Sequence, residues 1–222
     1  MAHALIVGAS RGIGLEFARQ YRADGWQVTA TARSDAALAE LKGLGATALA
    51  LDVASAESAS RLAWLIDGAV FDVVVYVAGI FGPRTMGLEP PTEADFDAVM
   101  HTNLLGAMRV LPQVVDMLAP GAKLAVISSR LASIELRAGP RGWLYGASKA
   151  ALNSVLKDVS LALAGKAICV TLSPGWVRTD MGGAGAALEV SESVANLRRT
   201  LAGLTAADTG RFLNHDGESI AW

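Results

Sequence analysis

Residues 3–14 read HALIVGASRGIG, and residues 15–33 continue LEFARQYRADGWQVTATAR. The stretch opens on a short apolar run over 3–7, turns at a glycine, and passes into a helical pattern over 12–24. A second apolar run follows at 26–32. Strand, glycine loop, helix, strand is the start of a βαβ unit. Gly8, Gly12 and Gly14 let backbone N–H groups approach an anionic oxygen closely, and a helix N-terminus adds a favourable field. The spacing is G-x-x-x-G-x-G rather than the G-x-G-x-x-G dinucleotide fingerprint. The bare pattern therefore admits a tight turn or a phosphate cradle. Its place between a first strand and a first helix favours the cradle, with Gly8, Ser10, Arg11, Gly12, Ile13 and Gly14 as its residues.

The same rhythm runs along the chain. Helical patterns over 35–43 and 55–66 alternate with apolar runs at 47–51 and 71–77. Thr92, with Asp95 three positions on, has the form of a capping box opening a long helix. A strand at 122–128, a helix at 143–164 and a strand at 167–172 complete the series. This alternation predicts an α/β fold: a doubly wound parallel sheet of Rossmann type in a three-layer α/β/α sandwich. One domain over residues 1–222 is expected. Beyond Pro174 the rhythm breaks, and residues 175–205, with GGAGAA at 182–187, read as a flap over a site or a loosely packed tail.

Composition excludes several classes. With 52% hydrophobic and 18% charged residues, the chain is globular. A net charge of −2 and the lack of a basic run argue against nucleic acid. The only cysteine, Cys169, allows neither an internal disulfide nor a cysteine metal cluster, so no metal is expected and a reducing, cytoplasmic setting fits. No stretch reads as a signal peptide or a membrane span.

The second strand bears on the cofactor. An NAD site has an acid about twenty residues past the loop, on the ribose 2′-hydroxyl. Here Ala32 and Arg33 occupy that place, and Arg11 supplies a second cation. Guanidiniums suit a 2′-phosphate, so NADP(H) is expected over NAD. A solvated surface role for Arg33 is the alternative.

Within LYGASKAALN, at 144–153, Tyr145 and Lys149 stand four apart and share a helix face. They are either ordinary polar residues at a helix end or a proton-handling pair. A free phenol has a pKa of about 10, and a nearby ammonium favours its anion. Lowering that value by about two to three corresponds to roughly 3–4 kcal/mol of differential interaction. Phe96, Val99, Met100, Asn103, Ala107, Val110 and Leu111 trace an apolar face, in which Asn103 must find hydrogen-bond partners. His101 points elsewhere.

With GASRGIG and YGASK both present, the chain resembles the short-chain dehydrogenase/reductase family over nearly its whole length. LDV at 51–53, AG at 78–79, HTNLLG at 101–106, ISS at 127–129 and SPGWVRTDM at 173–181 fall in family order. The stretch around YGASK, PGWVRTDMGG and the ending HDGESIAW resemble the C-factor and sniffer-type carbonyl reductase branch. The resemblance implies that Tyr145 donates a proton to a carbonyl oxygen. Lys149 would lower its pKa and hold the nicotinamide ribose, and Ser129 would bind the substrate oxygen. Asn103 would position a relay water; a structural asparagine bonded to neighbouring backbone is the other use. Asp52 and Val53 would meet adenine, Ala78 and Gly79 would line the ribose, and Pro174, Gly175, Val177 and Thr179 would hold the nicotinamide end.

Ser129 lies sixteen residues before Tyr145, a longer interval than in many family members, so Ser133 competes for its role. The family usually has asparagine before Ala78-Gly79, where this chain has Val77, and Ser173 replaces a histidine frequent in the branch. Trp143, Phe81, Met86, Trp176 and Met181 could build an apolar pocket. The resemblance implies NADPH-dependent reduction of an aldehyde or ketone, a small-molecule substrate. A non-catalytic NADP-binding signalling protein is the alternative, and an epimerase or dehydratase of the extended branch has little room. Family precedent pairs helices 92–118 and 143–164 between subunits, suggesting a homodimer or homotetramer.

Overall fold

A computed structural model of the chain describes residues 1–85 and 87–222. Seven parallel strands form one sheet: β1 (His3–Val7), β2 (Gln27–Ala32), β3 (Thr47–Ala50), β4 (Phe71–Tyr76), β5 (Leu118–Ile127), β6 (Ala167–Ser173) and β7 (Arg211–Asn214). Their order is β3-β2-β1-β4-β5-β6-β7. The chain starts in the middle of the sheet, builds one side, then crosses to build the other. That reversal opens a crevice beyond the carboxyl ends of β1 and β4.

Side-chain alternation assigns each face. Ala4 and Ile6 of β1 point toward α1 (Gly12–Ala23), α2 (Asp35–Gly43) and α8 (Val190–Gly203). Leu5 and Val7 point the opposite way, toward α4 (Leu62–Leu65), α6 (Gly106–Val114) and α7 (Trp143–Ala162). Both faces are therefore dry, which explains the near-continuous apolar strands. The architecture is the doubly wound α/β/α sandwich expected from the alternation.

Several details differ from the sequence reading. The helix expected over 55–66 divides at Arg61 into α3 (Ala56–Ser60) and α4. Strand β5 starts four residues earlier than expected. The long helix capped by Thr92 is present, with the Thr92 hydroxyl accepting from Asp95 N–H at 3.1 Å. It consists of α5 (Glu93–Met100), one π turn over His101–Leu105, and α6. A π turn takes an extra residue, so it rephases the apolar stripe. Val99, Ala107, Val110 and Leu111 are buried, whereas Phe96 is 46% exposed. Strand β7 was not expected: in RFLN only Phe212 and Leu213 are apolar, too short a run to signal a strand.

The segment 175–205 is not one uniform piece. Residues 174–189 form an irregular loop at the crevice. Helix α8 buries Val194, Leu197 and Leu201 in the same core as α1. Only the first half of the expected flap is loop.

Candidate active site

The crevice encloses about 450 Å³. Its floor is the glycine loop. Gly8 has φ +93°, and a Cβ there would lie 2.6 Å from the Ala78 nitrogen. A Cβ on Gly14 would lie 2.1 Å from the Gly8 carbonyl oxygen. These glycines bring β1, α1 and the end of β4 closer than any side chain would allow, and Gly12, at φ +53°, turns the chain into the helix. The Gly8 N–H is held by the Thr31 hydroxyl at 3.0 Å. The result is a backbone-lined hollow at a helix N-terminus, a cradle that fits a pyrophosphate.

The other predicted cofactor residues divide into a lining and a support. Ser10, Arg11, Ile13, Arg33, Asp52, Val53, Ala78, Gly79, Pro174 and Thr179 line the crevice with Gly8 and Gly12. Gly14, Gly175 and Val177 do not. Gly175, at φ +79°, packs under Leu188 and His215, and buried Val177 pairs with Leu188 to shape the loop from behind. Asp52 accepts from Ala54 N–H at 3.0 Å, which fixes the turn after β3.

The two guanidiniums expected at the 2′-position differ. Arg33 is exposed and has no carboxylate partner among the described residues. Arg11 is paired with Asp180 at 2.7 Å.

Tyr145 and Lys149 lie on the first turns of α7, both buried, and both face the crevice. The Lys149 Nζ donates to the Ile127 carbonyl at 2.9 Å and lies 5.9 Å from the Tyr145 ring centroid. Burial pushes the phenol up to about 12, against a smaller pull from the neighbouring Ser129 hydroxyl. Burial also brings Lys149 down to about 8. In the free protein, desolvation of a phenolate is thus the largest influence on the phenol.

The two serines are clearly distinguished. Ser129 is half-buried beside Tyr145. Ser133 is fully buried; its hydroxyl donates to the Trp222 carbonyl at 3.4 Å and accepts from Leu136 N–H at 3.1 Å. The Trp222 carbonyl also accepts from Ile134 and Glu135 N–H, both at 3.2 Å. Ser133 therefore braces the loop that carries Ser129.

Asn103 sits in the π turn, fully buried. Its Oδ1 accepts from Ile80 N–H at 2.7 Å, and its Nδ2 donates to the Ile80 carbonyl at 2.9 Å. The Nδ2 also donates to Ser148 Oγ at 2.9 Å, and Ser148 in turn donates to the Tyr145 carbonyl at 2.8 Å. The side chain thus clips the strand-β4 exit to helix α7. A Cβ on Gly79 would lie 3.0 Å from Lys149 Nζ and 3.2 Å from Asn103 Oδ1, so all three converge on one spot.

Val77 leaves the geometry after β4 intact. Val77 and Ala78 N–H both donate to the Val7 carbonyl, at 2.8 and 3.0 Å, and the Val77 side chain packs on the core. Sequence reasoning missed Thr31, Ile80 and Ser148. Thr31 alone gave a signal, a hydroxyl in an apolar strand. Of the proposed pocket residues, Phe81 stacks on Tyr145, Trp143 donates to the Glu89 carbonyl, and Trp176 donates to the Gly182 carbonyl. Met181 lines the crevice, and Met86 lies outside the described residues.

Glycine loop, proton-bearing pair and strand order now stand together. The family model described as short chain dehydrogenase matches residues 2–187. The chain belongs to the short-chain dehydrogenase/reductase family.

Among the members of this family, C-signal of Myxococcus xanthus is 34% identical over 154 residues, covering 68% of this chain and 92% of that protein. A short-chain dehydrogenase/reductase structure from Burkholderia multivorans, with bound NADP, is 32% identical. It superposes with a TM-score of 0.89, covering 100% of this chain and 99% of that one. The carbonyl reductase Sniffer of D. melanogaster is 26% identical with a TM-score of 0.90, each chain fully covered.

Proposed function

We propose that this dehydrogenase/reductase uses NADPH to reduce an aldehyde or ketone to an alcohol, with Tyr145 as the proton donor. The placement of Tyr145 and Lys149 in a glycine-floored crevice, with the Ser129 hydroxyl beside Tyr145, carries this reading. NADPH, when bound, supplies the hydride, two electrons and a proton nucleus, to the carbonyl carbon.

The chain's own residues handle the oxygen. Ser129 and Tyr145 donate hydrogen bonds to the carbonyl oxygen and polarise it. A phenol at about 12 is fully protonated near neutrality, and an alkoxide is a stronger base, so the proton moves to the product oxygen. Lys149, still charged at pH 7 with a value of about 8, offsets the phenolate left behind. Solvent then returns the proton. Burial of Tyr145 excludes water from this transfer.

NADP is favoured over NAD by Arg33, a guanidinium on the crevice wall after β2 with no carboxylate partner among the described residues. The NADP-bound relative from Burkholderia supports the choice, and Sniffer supports a carbonyl substrate. A protein that only senses cofactor occupancy has no need of the four side chains Asn103, Ser129, Tyr145 and Lys149 in mutual register.

The test is a panel of aldehydes, ketones and diones followed by NADPH absorbance, with Tyr145→Phe alongside. Turnover should fall by about 10²-fold or more in the variant while NADPH binding persists. Undiminished turnover would remove Tyr145 as the acid. Tight NADPH binding without turnover of any carbonyl would favour the signalling alternative.

A further inference from the structure

Two exposed arginines on loops packed against the start of α7 have no carboxylate partner among the described residues. Arg84, on the loop after β4, sits with its guanidinium carbon 5.1 Å from the Phe81 ring centroid. Phe81 stacks on Tyr145, with centroids 4.6 Å apart and planes at 21°. Arg84, Phe81 and Tyr145 thus form one column whose inner end is the proposed proton donor. The Arg84 Nη2 donates to the Met181 carbonyl at 2.7 Å, which ties the guanidinium to the loop after β6. Arg137, from the loop carrying Ser129, lies against the first turn of α7. Its Nη2 donates to the Leu131 carbonyl at 3.1 Å and would lie 3.2 Å from a Cβ on Gly146, the residue after Tyr145.

Five other arginines, Arg11, Arg19, Arg178, Arg198 and Arg211, are answered by acids. Arg84 and Arg137 reach only carbonyl oxygens, among the described residues, and both are exposed. A guanidinium stacked on a ring and pinned at one nitrogen has already lost much of its freedom. Its remaining N–H groups form a planar fork suited to a carboxylate.

Resting on the reductase reading, we propose that the substrate is a carbonyl compound bearing a carboxylate remote from the reacting carbon, selected by Arg84 with Arg137 as the second cation. The carboxylate lies at the outer end of the column, about one aromatic spacer from the carbonyl. An α-keto acid, whose carboxylate adjoins the reacting carbon, is too short to reach it.

The test compares 4-carboxybenzaldehyde with its methyl ester, which differ in charge and little in shape. The wild-type protein should favour the acid in kcat/KM by at least about tenfold, mainly through KM, since charge-assisted hydrogen bonds are the strong ones. The preference should shrink with added salt. In Arg84→Gln the ratio between the two substrates should collapse toward one, and Arg84→Lys should restore part of it. A ratio is insensitive to general damage in the variant. Calorimetry of 4-carboxybenzyl alcohol and its methyl ester with the NADP⁺-saturated protein reads the same discrimination without turnover.

Reduction of both aldehydes with equal kcat/KM, or a preference unchanged in Arg84→Gln, would overturn the carboxylate site and leave the reductase reading intact. Selective binding of the acid alcohol without reduction of either aldehyde would uphold the site and overturn the reductase reading. Neither binding preference nor reduction would overturn both.

Discussion

Arg11, from the loop after β1, and Asp180, from the loop after β6, meet at 2.7 Å across the mouth of the crevice. Both side chains are about three-quarters exposed, at 74% and 77%, so the pair is screened and contributes at most about 1 kcal/mol to stability. Its effect on ligand binding is larger in proportion. It occupies a cation beside the cradle and puts a carboxylate near the place where phosphates would bind. Asp180→Asn should therefore tighten NADPH binding about two- to fivefold with little change in melting temperature. A fluorescence titration of NADPH checks this; weaker binding would show that the pair organises the site rather than competing with its ligand.

Among the described residues, Arg33 has no carboxylate to leave. Arg33→Ala should cut the preference for NADPH over NADH by about 10- to 100-fold, the range for losing charge-assisted hydrogen bonds. The two cofactors compared by kcat/KM give the answer. An unchanged ratio would transfer recognition of the 2′-phosphate to Arg11.

Lys149 gives a pH signature. Its pKa falls to about 8 on burial, from 10.5 when solvated. Between those values the unfolded chain holds a proton that the folded chain has lost, so stability climbs as pH rises from about 8 toward 10.5. The full swing is about 3 kcal/mol. Tyr145 acts with the opposite sign, and only higher: its phenol is raised to about 12, so stability is lost as pH passes from 10 to 12. In Lys149→Met the climb above pH 8 should vanish. At pH 7 the variant should be more stable by about 1–2 kcal/mol, after the Ile127 carbonyl loses its donor. Urea unfolding at pH 7, 8.5 and 9.5 measures both; a variant less stable at pH 7 would refute the desolvation account.

Asn103 holds the backbone N–H and carbonyl of Ile80 together with Ser148. Asn103→Ala would remove the partner of the half-buried Ile80 groups and of the buried Ser148 hydroxyl, and should cost about 1–3 kcal/mol. Denaturant midpoints would register the loss. A change below about 0.5 kcal/mol would mean that water takes over all three bonds, and that the residue's importance is not structural.

The sheet, its winding and the position of the crevice were legible because each rests on local periodicity. Apolar runs of four to ten residues, separated by helical stripes, leave few topologies open. Tyr145 and Lys149 were legible for the same reason, a spacing of four on a helix. What the sequence hid was long-range. The bonds from Asn103 to Ile80 span 23 residues, and the contact of Ser133 with Trp222 spans 89. Neither produces a periodic signal. The phenol's raised pKa was also invisible, because it depends on how completely the crevice wall covers Tyr145. The exposed Phe96 and the π turn share one cause: an extra residue in a helical turn shifts the phase of everything before it without altering the letters.

The crevice draws its walls from the ends of six strands, with lining residues as far apart as Gly8 and Val190. No contiguous fragment of the chain contains it. A molecule seated there becomes a non-covalent staple joining the first strand to the last helix, and by linkage its binding free energy is added to the cooperative unfolding of the entire sheet. Cofactor titre in the surroundings would then set how long the polypeptide survives proteases, quite apart from any reaction it carries out.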